Sequence, residues 1–179
     1  MAITVRRLRP DDDRTAFRSG DIELDRFFHR YAGQNQFRHH IGTTYVAVDD
    51  RSTVLGFVTV SPAEIEVRDL PKTKRRRLPA YPLPALRLAR LAVAEPAQGR
   101  GIGLHLLKAV FVLARRMAHG FGCVGVLVDA KPNAVRFYEQ YGFVRLSALQ
   151  GALGDRPEPT LMFLDLRSIP QTEDEPPGD

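Results

Sequence analysis

The spacing of apolar positions changes period several times along the chain. Ile3-Thr4-Val5-Arg6-Arg7-Leu8 alternates apolar and polar residues, the period-two pattern of a strand. Arg9-Pro10-Asp11-Asp12-Asp13 follows as a turn suited to capping a helix. Leu24, Phe27, Phe28 and Tyr31 then mark one face of a short helix. Thr44–Val48 and Val54–Val60 are strand-like runs flanking the turn Asp49-Asp50-Arg51-Ser52, which predicts an antiparallel hairpin. Leu86–Val93 is the next strand. After it, Ile102, Leu106, Val110, Leu113 and Met117 form a stripe of 3.6-residue period, an amphipathic helix ended by Gly120 and Gly122. Cys123–Val128 is almost wholly apolar and predicts a buried strand. Asn133 is placed to cap a helix over Ala134–Gln140 that stops near Gly142, and Leu161–Leu166 is a last strand. Antiparallel strands come first and a β-α-β-α-β unit later. That order predicts a single α+β domain over residues 1–170, with a mixed central sheet flanked by helices.

Composition adjusts this picture in three places. The 179 residues are 44% hydrophobic, enough for one domain with a substantial core. No apolar run is long enough to cross a bilayer, and the first residues lack the apolar centre of a signal peptide. The single cysteine, Cys123, lies within an apolar run and is expected to be a buried, inert thiol. One cysteine and five scattered histidines give no metal-ligand spacing, so no metal site is expected. These features point to the cytoplasm. The net charge is +5, yet residues 171–179 hold four acidic side chains and no basic one. That stretch predicts an acidic, disordered tail on a more basic body. A basic body suits an anionic partner such as a phosphorylated cofactor or a nucleic acid.

Two segments carry candidate chemistry. Residues 61–84 are expected to be a loop. Lys72, Lys74, Arg75, Arg76 and Arg77 are concentrated there, and Pro79, Pro82 and Pro84 forbid a regular helix. A solvated loop or a basic arm for phosphates both account for it. The second segment, Gln98-Gly99-Arg100-Gly101-Ile102-Gly103, joins a strand to the amphipathic helix. Its glycines let backbone approach a ligand, and the helix start offers unpaired amides and the positive end of a dipole. A phosphate or pyrophosphate is the natural occupant. Leu104-His105 in place of Lys-Ser or Lys-Thr excludes a P-loop, and the glycine spacing excludes a dinucleotide fingerprint.

The same segment resembles the Q/R-x-x-G-x-G/A turn of GNAT-family N-acetyltransferases, and Ala134-Val135-Arg136-Phe137-Tyr138-Glu139-Gln140-Tyr141-Gly142-Phe143 resembles that family's A-x-x-F-Y-x-x-x-G-F segment. The resemblance runs over residues 3–166. It implies a GNAT fold and acetyl-CoA as cofactor. It places Leu91, Ala92 and Val93 beside pantetheine, and Gln98, Gly99, Arg100, Gly101, Ile102 and Gly103 around the pyrophosphate. It also brings Asn133, Phe137 and Tyr138 to the cofactor, with the amide near Val93 polarising the acetyl carbonyl. Tyr138 is implied as the general acid for the departing thiolate, since a phenol near pKa 10 is protonated at neutral pH. Tyr141 has the same chemistry, but its place at a helix end suits packing. None of the five histidines is tied to Tyr138 by spacing, so no general base is assigned. An α-amine with a pKa of about 7.7–8.0 is partly neutral at pH 7 and needs a base less than lysine does.

Ser19-Gly20-Asp21-Ile22-Glu23-Leu24-Asp25-Arg26-Phe27-Phe28, Leu78–Pro84 and Arg87–Val93 are similar to segments of GNAT toxins from type II toxin–antitoxin modules. Many of those have cysteine where this chain has Ser19. The similarity implies acetylation of the α-amino group of aminoacyl-tRNA, with Lys72, Lys74, Arg75, Arg76 and Arg77 on tRNA phosphates. It also implies a ribbon-helix-helix antitoxin and a homodimer. The alternatives are an acetyltransferase for a small amine or a protein N-terminus, and a CoA- or RNA-binding module without catalysis.

Overall fold

The structure, a computed structural model, describes residues 2–76, 78–146 and 159–169. Arg77 and the acidic stretch 171–179 lie outside the described residues. Among the described residues seven strands form one sheet: β1 (Thr4–Arg7), β2 (Thr43–Val48), β3 (Val54–Ile65), β4 (Leu83–Val93), β5 (Gly125–Ala130), β6 (Val144–Arg145) and β7 (Thr160–Asp165). Their order is β1-β2-β3-β4-β5-β7-β6. Every pairing is antiparallel except β4 with β5, so the sheet is mixed as expected. The helices are α1 (Ile22–Arg26), α2 (Lys72–Arg75), α3 (Ile102–Gly120) and α4 (Val135–Gln140).

Strand alternation builds two cores on opposite faces of the sheet. Ala47 and Val58 face α3, whose buried Ile102, Leu106, Val110, Ala114 and Met117 follow the helical stripe. Their sequence neighbours Val46, Val48 and Phe57 face the other way, onto Phe17, Phe27 and Phe28. Phe28 is fully buried and stacks on Phe57 at 4.4 Å between centroids. Buried Gln36 ties this helical layer to the sheet, donating to Leu8 O at 3.1 Å and accepting from Thr44 N at 2.8 Å.

Local details differ from the sequence expectation. The carboxylates after Pro10 do not start a helix. Asp12 instead accepts two hydrogen bonds from the Arg6 guanidinium and one from Arg9 N, which closes the turn. The first helix is capped by Asp21, which accepts from Glu23 N and Leu24 N. Beyond α1 the chain widens to π-helical turns over Phe27–Tyr31 and Gln34–His39. The extra residue per turn rotates the buried stripe, so Tyr31 is left exposed. Residues 61–84 are not all loop. β3 runs on to Ile65 because Ala63 and Ile65 keep alternating inward, and its partner β4 begins at Leu83. Lys72–Arg75 forms a single helical turn in between. Ala134, not Asn133, caps α4, because a tight turn from Lys131 O to Ala134 N delays the helix by one residue.

Candidate active site

β4 and β5 pair over only three residues, Leu86–Leu88 with Val126–Val128. On the other side of β4 the register slips, with Thr59 opposite Arg90 and Val60 opposite Leu88, so Ala89 is an extra residue. Such a bulge bends its strand. Beyond it β4 leaves β5, and the two strands enclose a cavity of about 690 Å³. Ala94 N donates to Leu55 O at 2.8 Å, so alternate residues 92 and 94 point their backbone groups at β3. Leu91 and Val93 point theirs the other way, into the opening that β5 has vacated. A ligand laid along this stretch can pair with β4 as a missing strand would.

The cavity collects the sequence candidates. Leu91, Ala92 and Val93 line one wall; Gln98, Gly99, Gly101, Ile102 and Gly103 line its end. Asn133, Phe137 and Tyr138 come from the loop after β5 and from α4. Arg100 is exposed and lies outside the lining. The glycines have two different reasons to be there. Gly99 and Gly101 adopt φ of +76° and +80°, and a Cβ on either would meet nothing within 4 Å. That open cradle stands at the start of α3, which has no side chain capping its first amides. Those amides remain free for an anion, the arrangement a pyrophosphate fits. Gly103 instead admits a neighbour, since its Cβ would lie 3.2 Å from Phe137 Cζ. Gln98 holds protein: its Nε2 donates to Ser19 O at 2.8 Å and Val93 O at 3.0 Å.

Tyr138 is 4% exposed, edge-on to Phe137 and Phe143. Burial pushes its phenol well above the ordinary value, so it stays protonated at neutral pH. Tyr141 also lines the cavity but is less buried. Among the described residues, no histidine lines it.

Residues that pattern alone did not assign to the site come from the segment leading into α1 and from α1 itself. Ser19, Asp21 and Leu24 line the cavity together with Lys131. Glu95 N donates to Arg18 O at 2.8 Å, and Lys131 Nζ reaches Asp21 at 2.5 Å from the far wall. The segment is therefore a strap tied to both walls. Burial works against the Asp21 charge, but the Lys131 ammonium and the α1 amides outweigh it and hold the carboxyl below its usual range. The signal for the strap was the similarity of residues 19–28 to toxin sequences; its ties join residues too distant for any pattern to show.

The basic cluster lies elsewhere. Lys72, Lys74 and Arg75 border a second hollow with Arg145 and Asp165, at the opposite end of β4 from Val93. That is roughly 30 Å along the strand at about 3.3 Å per residue. Lys74 pairs with Asp165, Arg75 donates to Leu70 O, and Arg76 is exposed.

Residues 40–145 match the acetyltransferase (GNAT) domain family, which is more than half of the chain. The chain is a GNAT acetyltransferase. The tRNA-acetylating toxin of Mycobacterium tuberculosis is 33% identical to it over 77% of this chain and 82% of that protein. A solved structure of AtaT complexed with acetyl-methionyl-tRNAfMet superposes with a TM-score of 0.80 at 25% identity, covering 94% of this chain and 97% of that one. AtaTR bound with AcCoA superposes with a TM-score of 0.74 at 26% identity, covering 93% and 95%. The acetyltransferase therefore shares its overall fold with proteins solved in complex with acetyl-methionyl-tRNAfMet and with AcCoA.

Proposed function

We propose that this acetyltransferase moves the acetyl group of acetyl-CoA onto the α-amino group of aminoacyl-tRNA, as the toxin of a toxin–antitoxin pair. The observation that carries the reading is the splayed β4–β5 cavity, with free helix amides at one end and a buried phenol in its wall, in a chain 33% identical to a tRNA-acetylating toxin. Acetyl-CoA supplies a thioester. The open cradle at Gly99 and Gly101 takes its pyrophosphate, and Leu91 and Val93 offer backbone groups to its arm. The Val93 amide donates to the acetyl oxygen as negative charge develops there. Tyr138 delivers its proton to the departing sulfur and regains one from solvent. Phe137 holds the start of α3 against α4 through the gap at Gly103.

Lys72, Lys74, Arg75 and Arg76, which lie far from the reacting end, serve tRNA phosphates together with Arg77, and this suits a large substrate better than a small amine. A homodimer, a ribbon-helix-helix antitoxin and a cytoplasmic location belong to the same reading. No helix among the described residues is long and apolar enough to cross a membrane.

The test mixes the protein with labelled acetyl-CoA and total aminoacylated tRNA. Label should enter the aminoacyl-tRNA fraction, and Tyr138→Phe should slow it by about 100-fold with acetyl-CoA affinity kept. Label entering small amines or peptides but not aminoacyl-tRNA would refute the acceptor and leave the acetyltransferase.

A further inference from the structure

The acceptor amine must lose a proton, and no histidine is at hand to take it. The strap holds another candidate. Ser19 O and Val93 O accept from the same Gln98 Nε2, so these two oxygens are roughly 6 Å apart at most. Ser19 thus stands beside the strand end assigned to the acetyl oxygen, and it lines the cavity. Its hydroxyl is already oriented. It donates to Asp25 Oδ1 at 2.6 Å, a length typical of a charged acceptor, and accepts from Asp21 N at 3.2 Å. A hydroxyl has one proton and two lone pairs. The proton and one lone pair are committed, and the second lone pair has no partner among the described residues.

Asp25 is a buried side chain, 8% exposed. Among the described residues its carboxylate accepts only from Ser19, through the amide at 3.0 Å and 3.2 Å and through the hydroxyl. Among the described residues no lysine or arginine pairs with it. Buried carboxylates are otherwise normally paired, because an uncompensated buried charge is costly. A carboxylate bonded to the hydroxyl of a cavity-lining residue, with no cation paired to it among the described residues, stands where a proton leaving that hydroxyl would go.

We propose that Ser19 and Asp25 form a proton relay for the acceptor amine; this rests on the acetyl site reading above. As the amine nitrogen bonds to the acetyl carbon, its proton passes to Ser19 Oγ. The proton of Ser19 moves to Asp25 Oδ1. The carbon–sulfur bond breaks and sulfur takes the proton of Tyr138. Asp25 then loses its proton to solvent while the Tyr138 phenolate gains one. The net result is one proton moved from amine to thiol. Ser19 touches the substrate; Asp25 acts through it.

The experiment measures single-turnover transfer to aminoacyl-tRNA from pH 6 to 9 in the full chain, with Ser19→Ala, Ser19→Cys and Asp25→Asn. Ser19→Ala keeps the amide bond to Asp25 and removes only the hydroxyl, so it tests the relay even if Asp25→Asn loosens the strap. Ser19→Ala should lose about 100-fold near pH 7 with acetyl-CoA affinity within twofold, and the deficit should shrink as hydroxide takes over at high pH. Ser19→Cys should recover most of the rate. A Ser19→Ala rate within twofold of the parent, or a deficit equal at every pH, would overturn the relay. Parent protein that acetylates a small primary amine but not aminoacyl-tRNA would instead overturn the proposed acceptor, and the same variants then decide the relay on that amine.

Discussion

Gly101→Ala separates a binding glycine from a packing one. Gly101 has φ of +80°, where an L-residue is strained by about 1–2 kcal/mol. Its added Cβ would meet no protein atom within 4 Å, so strain is the whole cost to the fold. For a chain of this size that lowers the melting temperature by about 2–8 °C. The methyl group would project into the space kept open for the ligand, at the mouth of the free α3 amides. A lost hydrogen bond to a charged group is worth about 1.5–3 kcal/mol, and each 1.4 kcal/mol is tenfold in affinity. Acetyl-CoA should therefore bind about 10–100-fold more weakly, measured by titration calorimetry below the melting range. Gly120→Ala is the control. Gly120 also has open space for a Cβ, but it ends α3 without a positive φ, so binding should be unchanged and stability equal or slightly raised. If Gly101→Ala binds acetyl-CoA within twofold of the parent while losing the expected stability, the turn does not hold the pyrophosphate.

Other expectations follow from the packing and the ion pairs. Phe28→Ala empties a fully buried site stacked on Phe57 and should cost about 3–5 kcal/mol in urea denaturation. The Arg6 guanidinium, with help from Arg9 N, holds the Asp12 carboxyl below its ordinary value despite burial. Its contribution is therefore complete above about pH 4 and is lost as pH falls through the depressed folded value. Asp12→Asn should lose about 1–3 kcal/mol at pH 7, measured by urea midpoints, with the gap closing toward pH 2. Burial raises the Cys123 thiol, so a thiol reagent at pH 8 should label it only as fast as the protein unfolds.

The strap shows why part of the site was hidden from the sequence. Asp21 and Lys131 are 110 residues apart, and Ser19 and Gln98 are 79 apart. Nothing in the composition around either partner predicts the other. Gln98 itself sat in a recognisable turn, yet its side chain ties the strap to β4. Ala89 looks like any small strand residue, and only its unmatched place against β3 shows that it bends β4 out of the sheet. The exposed position of Tyr31 likewise depends on a helix widening that propensity does not reveal.

What the chain alone determined was short in range. The stripe from Ile102 to Met117, the apolar run into β5 and the glycine turn each depend on the period of a single element or on the freedom of a few residues. Those properties are complete within about twenty consecutive positions, so they survive without the rest of the fold. Tertiary structure decided where these pieces meet. It opened β4 from β5, buried Tyr138 in the resulting wall, and brought Ser19, held by Asp25, to the cavity from far away in the chain. Such contacts reflect the free energy of packing the whole sheet, and that energy is not written in any one segment.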